Sequence, residues 1–287
     1  MEQELYKHRS VSSCIKAAYD TVCNNAKTIL FATWLPVLIN AAVVSLTPVL
    51  NSKTTIGMII TAIVFIASIF TNALIFSKTA TLLNGKLLAK NYKRFLLMSG
   101  VMVVCSFLIG IIIGAAFYLI LQSAPDAATH STLNIAIGVA VALAAIFGIA
   151  LLPTAYSCMN YIYNEDSRLG SIFGHEYGVG LKSWGYLFML HMLLAIIITL
   201  LYIPLFIVPN AIMMADFANA SSMALGDADA LPSGFKLMYY GAAVVAMFLM
   251  GYVMIWGHIA VYYAYGSIAS KNANKQETIN NNQLITK

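Results

Sequence analysis

Charge is what this sequence has least of. Of its 287 residues only 9% are Asp, Glu, Lys or Arg, while 60% are hydrophobic. A soluble domain carries about 25% charged residues. So few charges leave too little polar surface to meet water on every side. An ordinary soluble domain is excluded, and lipid becomes the natural solvent. Cysteine is scarce too. Cys14, Cys23, Cys105 and Cys158 form no CxxC pair and no zinc spacing, which argues against a disulfide or metal framework. No Asp or Glu lies mid-way along an apolar run, so a carboxylate-based proton or sodium pathway lacks its usual parts. The first 27 residues are polar and hold Glu2, Glu4 and Asp20. No cleaved signal peptide is expected, and the first apolar run should serve as the insertion signal.

Apolar length is what the sequence has in plenty. About 20 apolar residues cross the hydrocarbon core as a helix. Six such runs stand at 29–50, 56–77, 95–121, 133–160, 184–210 and 237–265. None alternates as a membrane β-strand does, so the expected fold is all-α: a polytopic membrane protein of six transmembrane helices, paired as three hairpins. Residues 1–28 form a cytoplasmic segment before this domain of 29–270, and the polar, Asn-rich stretch 271–287 reads as a disordered cytoplasmic tail.

The basic residues set the orientation. Fourteen of the 16 Lys and Arg fall in the N-terminal segment, the second and fourth loops and the tail; only Lys53 and Lys236 fall in the other loops. By the positive-inside rule both termini are cytoplasmic, in a plasma (inner) membrane. The net charge of +5 then calls for no nucleic acid; the basic side faces anionic lipid headgroups.

Each hairpin follows a polar cytoplasmic segment with helical spacing. In the first, Val11, Ile15, Ala18, Tyr19, Val22, Ala26 and Ile29 make an apolar stripe, as a helix on the inner leaflet requires. The second, "KTATLLNGKLLAKNYKRF", is basic and leucine-rich. The third contains "FGHEYGVGLKSW". Among the external loops, 211–236 is long enough for a short surface helix over "AIMMADFANASSM". This alternation of surface segment and hairpin, over about residues 10–270, resembles the uncharacterised six-helix inner-membrane proteins of bacteria. The resemblance is one of pattern and carries over no functional residues.

The stretch "GHEYGVG" fails each catalytic template. A zinc protease needs His at 179, where Val stands; a P-loop needs Lys directly after Gly180, where Leu181 stands. Read as a helix, Leu169, Ile172, Phe173, Tyr177 and Leu181 share a face, and Glu176 falls beside them. An acid there must snorkel, become neutral or find a partner such as His191 or a lysine of the second segment. Alternatively Gly170, Gly174, Gly178 and Gly180 break the helix and let Glu176 reach water. His191 and His258 are the only ionisable side chains well inside the runs. They read as interhelical hydrogen-bonding groups or as proton or metal groups. Asn40 and Asn72 read as polar contacts between helices. Gly110 and Gly114 form a GxxxG pair, and Ala140, Ala144 and Gly148 a small-residue line, so the third and fourth spans are expected to pack face to face. Pro36, Pro153 and Pro204 should kink their spans, freeing the carbonyls of Ala32, Ile149 and Leu200.

These residues point to a membrane protein that works by binding, as a scaffold, assembly partner or regulatory subunit, with a protein partner or a second copy of itself. The alternative is a transporter or channel-like bundle with a polar cavity around Asn40, Asn72, His191 and His258. No catalytic set, cofactor or metal is expected.

Overall fold

In a bilayer each backbone N–H and C=O must find its partner inside the protein, and this chain does so with helices. The computed structural model describes residues 5–47, 54–122, 130–226, 231–232 and 234–285. Among the described residues there is no strand. The helices are α1 (Val11–Asn24), α2 (Ala26–Ser45), α3 (Thr55–Asn84), α4 (Leu88–Gln122), α5 (His130–Leu151), α6 (Thr154–Tyr163), α7 (His175–Lys182), α8 (Trp184–Ala224) and α9 (Phe235–Ile285), with a 3-10 turn at Leu169–Phe173. Six of them, α2, α3, α4, α5, α8 and α9, are long and apolar enough to cross a membrane. The molecule is a multi-pass α-helical membrane protein.

Several helices run beyond their apolar cores. The second polar segment is divided between the end of α3 and the start of α4. Helix α8 continues to Ala224 and absorbs the surface helix expected in the 211–236 loop. Helix α9 continues to Ile285 and so runs through most of 271–287. Extending an existing helix costs little, since each added residue brings its own hydrogen bond. The fourth span is the exception: α5 stops at Leu151, and Pro153 separates it from α6. Pro36 and Pro204, by contrast, lie inside unbroken helices. The loop between α2 and α3, residues 48–53, lies outside the described residues.

The chain divides into two units, one of residues up to Phe95 together with those from Leu190, the other Leu96–Met189. In the first, α2 buries Ile29, Thr33, Pro36, Val37, Ala41 and Ser45, which share one helical face. That face meets α3 and α9. Helix α1 starts at Ser10, whose Oγ accepts the Ser13 N–H at 3.3 Å, the capping bond that Ser supplies best. Its buried residues are Cys14 and Ala18, while Tyr19 is 61% exposed. The apolar stripe read from the sequence is therefore rotated, and the buried face rests on α9. Thr21 Oγ1 lies 2.7 Å from Tyr263 Oη. Just before α1, the Arg9 N–H donates to Ser267 Oγ at 2.9 Å, and the Ser267 hydroxyl donates to the Arg9 carbonyl at 3.0 Å. The Arg9 guanidinium stands 5.0 Å from the centre of the Tyr263 ring. Gly266 makes this fit possible, since a Cβ there would strike the Leu5 carbonyl.

In the second unit, the face-to-face packing expected of the third and fourth spans is not formed. Space is open where a Cβ would stand on Gly110, Gly114 or Gly148, and no residue in the apolar stretch of α4 is buried. Small residues permit close approach without compelling it.

Candidate functional site

The five residues singled out by sequence fall into different settings. Asn40 Oδ1 accepts the Thr71 hydroxyl at 2.6 Å and ties α2 to α3. Asn72 Nδ2 donates to the Ser68 carbonyl of its own helix at 2.9 Å. His258 packs against Phe76 and Phe95, with ring centroids 5.0 and 5.6 Å away, and so holds α9 against the corner between α3 and α4. His191 is half-buried in the first turns of α8. Glu176 lies in the first turn of α7, where its charge suits the helix dipole. Its Oε1 is 3.3 Å from Nδ1 of the adjacent His175, whose side chain is 84% exposed against 21% for Glu176. The continuous amphipathic helix suggested for this stretch is interrupted at Gly174; Ile172 is buried, whereas Phe173 and Leu181 are exposed.

"GHEYGVGLKSW" does its work through other residues. Pro153 has no N–H to give to the Ile149 carbonyl, and the break after Leu151 leaves the neighbouring carbonyls without helical donors. Each finds one. Leu152 N–H and Trp184 Nε1–H reach the Ile149 carbonyl, both at 3.3 Å. The Tyr177 hydroxyl donates to Ala150 at 2.8 Å, the Thr154 hydroxyl to Leu151 at 2.5 Å, and the Ala155 N–H to Leu152 at 3.1 Å. Gly180 lies directly on Pro153; a Cβ there would run into its carbonyl oxygen, with the carbonyl carbon at 3.1 Å. Helix α7 is thus a cap laid over a broken helix end. Beyond the break, α6 is buried from Tyr156 through Tyr163. Its Asn160 donates to Ser167 Oγ at 3.3 Å, and Ser167 bonds Ser171 Oγ at 3.0 Å.

A second organised site lies at the turn from α3 to α4. Gly85 ends α3 in the left-handed conformation, φ 68°, and its N–H bonds the Thr81 carbonyl at 2.9 Å. Glycine takes this conformation without steric cost. Asn84 and Asn91 then join across the turn, each side-chain amide donating to the other's oxygen at 3.2 Å. Asn91, 1% exposed, also donates to Thr81 Oγ1 at 3.0 Å, and the Lys86 N–H donates to Asn84 Oδ1 at 3.0 Å. This network fixes a corner bearing Lys86, Lys90, Lys93 and Arg94. The sequence signal was Asn-Gly at the end of an apolar run, with a second Asn seven residues on.

Among the described residues, no three His, Cys, Asp or Glu side chains gather as a metal site would require. No protein-family model, curated protein or solved structure matches the chain.

Proposed function

We propose that this protein acts by binding rather than by catalysis or transport, as a scaffold, assembly or regulatory subunit of a plasma (inner) membrane, with both termini in the cytoplasm. The observation that carries the preference is the use already made of the polar groups a transport path would need. Asn40 is engaged by Thr71, Asn72 by its own helix, and His258 is set among phenyl rings. The failed catalytic templates support the same reading, and the bilayer with its anionic headgroups is the first partner. The exposed apolar length of α4, with Gly110 and Gly114 open to close approach, suits a protein partner or a second copy.

The test is access of water to the bundle. Single cysteines at positions 40, 72, 191 and 258, in a protein stripped of its native cysteines, are treated with a charged methanethiosulfonate. The binding reading expects all four to react far more slowly than a reference variant that keeps only Cys23, which is exposed. Rapid reaction at two or more of them, from one side of the membrane, would replace this reading with the transporter.

A further inference from the structure

We propose that Asn84 is a site of self-modification that the fold holds shut. When the turn between α3 and α4 opens, the Gly85 nitrogen attacks the Asn84 side chain and converts its amide to an acid. The pairing of Asn84 with Asn91 is the seal against that reaction.

The sequence supplies the reactive pair. Asn84-Gly85 is the only Asn-Gly step in the chain. Glycine has no Cβ to hinder the approach of its own nitrogen to the side chain before it. In the reaction that nitrogen bonds to Cγ of Asn84, and the Cγ–Nδ2 bond breaks. The proton of the Gly85 N–H passes through water to the departing amide, which leaves as ammonia. A cyclic imide remains. Water then adds to either of its carbonyls, and the bond from that carbon to nitrogen breaks. The product is aspartate, or isoaspartate in which the main chain runs through the side-chain carbonyl. Water is the only co-reactant.

The structure supplies the seal. Attack requires the two reacting atoms to be in contact and aligned. Asn84 is the last residue of α3, and a helical side chain points back toward the start of its helix, away from the nitrogen that follows it. The Gly85 N–H is engaged by the Thr81 carbonyl at 2.9 Å. The Asn84 amide is pinned at both ends. Its Nδ2 donates to Asn91 Oδ1 at 3.2 Å, while its Oδ1 accepts from Asn91 Nδ2 at 3.2 Å and from the Lys86 N–H at 3.0 Å. Asn91 is buried in turn and donates to Thr81 Oγ1. The protection is one of geometry and not of dryness, because Gly85 itself is exposed.

The change runs one way. An aspartate at 84 has no amide hydrogen to offer Asn91 Oδ1, so two acceptors would face each other where donor now meets acceptor. An isoaspartate also lengthens the main chain where the left-handed Gly85 turns it. Local openings of this kind are brief, and chemistry that outlasts them follows the fraction of time spent open. Conversion of Asn84 therefore records how long the corner has been open.

The full chain in detergent is incubated in mildly alkaline buffer and digested, and the peptide bearing Asn84 is read by mass spectrometry for the replacement of amide by acid. The same chain denatured in urea and dodecyl sulfate sets the rate of the open form. Folded wild type should convert at least about tenfold more slowly, the factor that two or three hydrogen bonds make in an opening equilibrium. Folded Asn91→Ala should regain most of the denatured rate, and exchange of its Gly85 amide with deuterium should quicken in step. Asn72→Ala, which removes an amide bonded only within α3, should convert as wild type does. Thermal melts show which variants are folded; if Asn91→Ala is not, Thr81→Val, which removes one acceptor of Asn91, is read in the same way. Folded wild type that converts as fast as the denatured chain would overturn the proposal. So would a denatured chain in which Asn84 stays an amide, or an Asn91 variant whose conversion and Gly85 exchange match wild type.

Discussion

At the scale of single residues, the cap over the broken fourth span turns on one hydrogen atom. Gly180 has no room for a Cβ against Pro153, whereas Gly178, two residues earlier on α7, faces open space. Gly180→Ala should destabilise the protein by about 1–3 kcal/mol, the usual cost of overpacking. Gly178→Ala should be neutral or stabilising, since Ala is about 1 kcal/mol better than Gly within a helix. Thermal melts in detergent compare the two, and equal effects would show that α7 does not bear on Pro153. In the same measurement, Tyr177→Phe should cost about 1 kcal/mol for the lost bond to the Ala150 carbonyl. Glu176→Gln should cost less, because its partner His175 is exposed and surface pairs contribute little. The sequence pointed at this stretch through residues other than those that hold the break. The charged His175 and Glu176 drew attention because charge is rare in the chain. Tyr177 read as one residue of an apolar helical face, although the carbonyl freed by Pro153 could be named beforehand. Missing was the knowledge that the two places meet, a long-range fact with no local signature.

At the scale of elements, a helix over 11–24 could be read from its stripe and from Ser10, but not what the stripe rests on. Lipid and protein both bury apolar residues, so periodicity cannot separate them. The structure answers with α9. Helix α1 should therefore keep slow amide exchange in detergent as well as in lipid nanodiscs. Gly266→Leu, which collides with Leu5, should release that protection without melting α2 and α3. Fast exchange of wild-type α1 in detergent would show that the bilayer is its real support. Helix ends were the least legible feature. Hydropathy marks where a run stops being apolar, whereas helices end at caps and breaks, so α4, α8 and α9 all run past their apolar limits. Pro36 and Pro153 look alike in sequence. Only the second becomes a break, because its freed carbonyls are taken up by side chains from outside the helix.

At the scale of the whole molecule, six spans were legible because composition leaves a membrane protein few alternatives. The orientation proposed from charge predicts that a cysteine at Ala127 is labelled from outside intact cells while one at Asn274 is not. The opposite pattern would invert the topology and move the basic corner to the outer face. One consequence concerns the order of manufacture. Arg9 bonds Ser267, 258 residues later. At about 5–20 residues per second, a ribosome takes roughly 13–50 s to supply that partner. Throughout this interval α1 exists without its berth, and only the arrival of the sixth span lets it settle. The closing of α1 onto α9 thus reports that the whole bundle has been threaded. A chain halted before residue 262 should display its N-terminal segment to cytoplasmic proteases, and a finished one should conceal it.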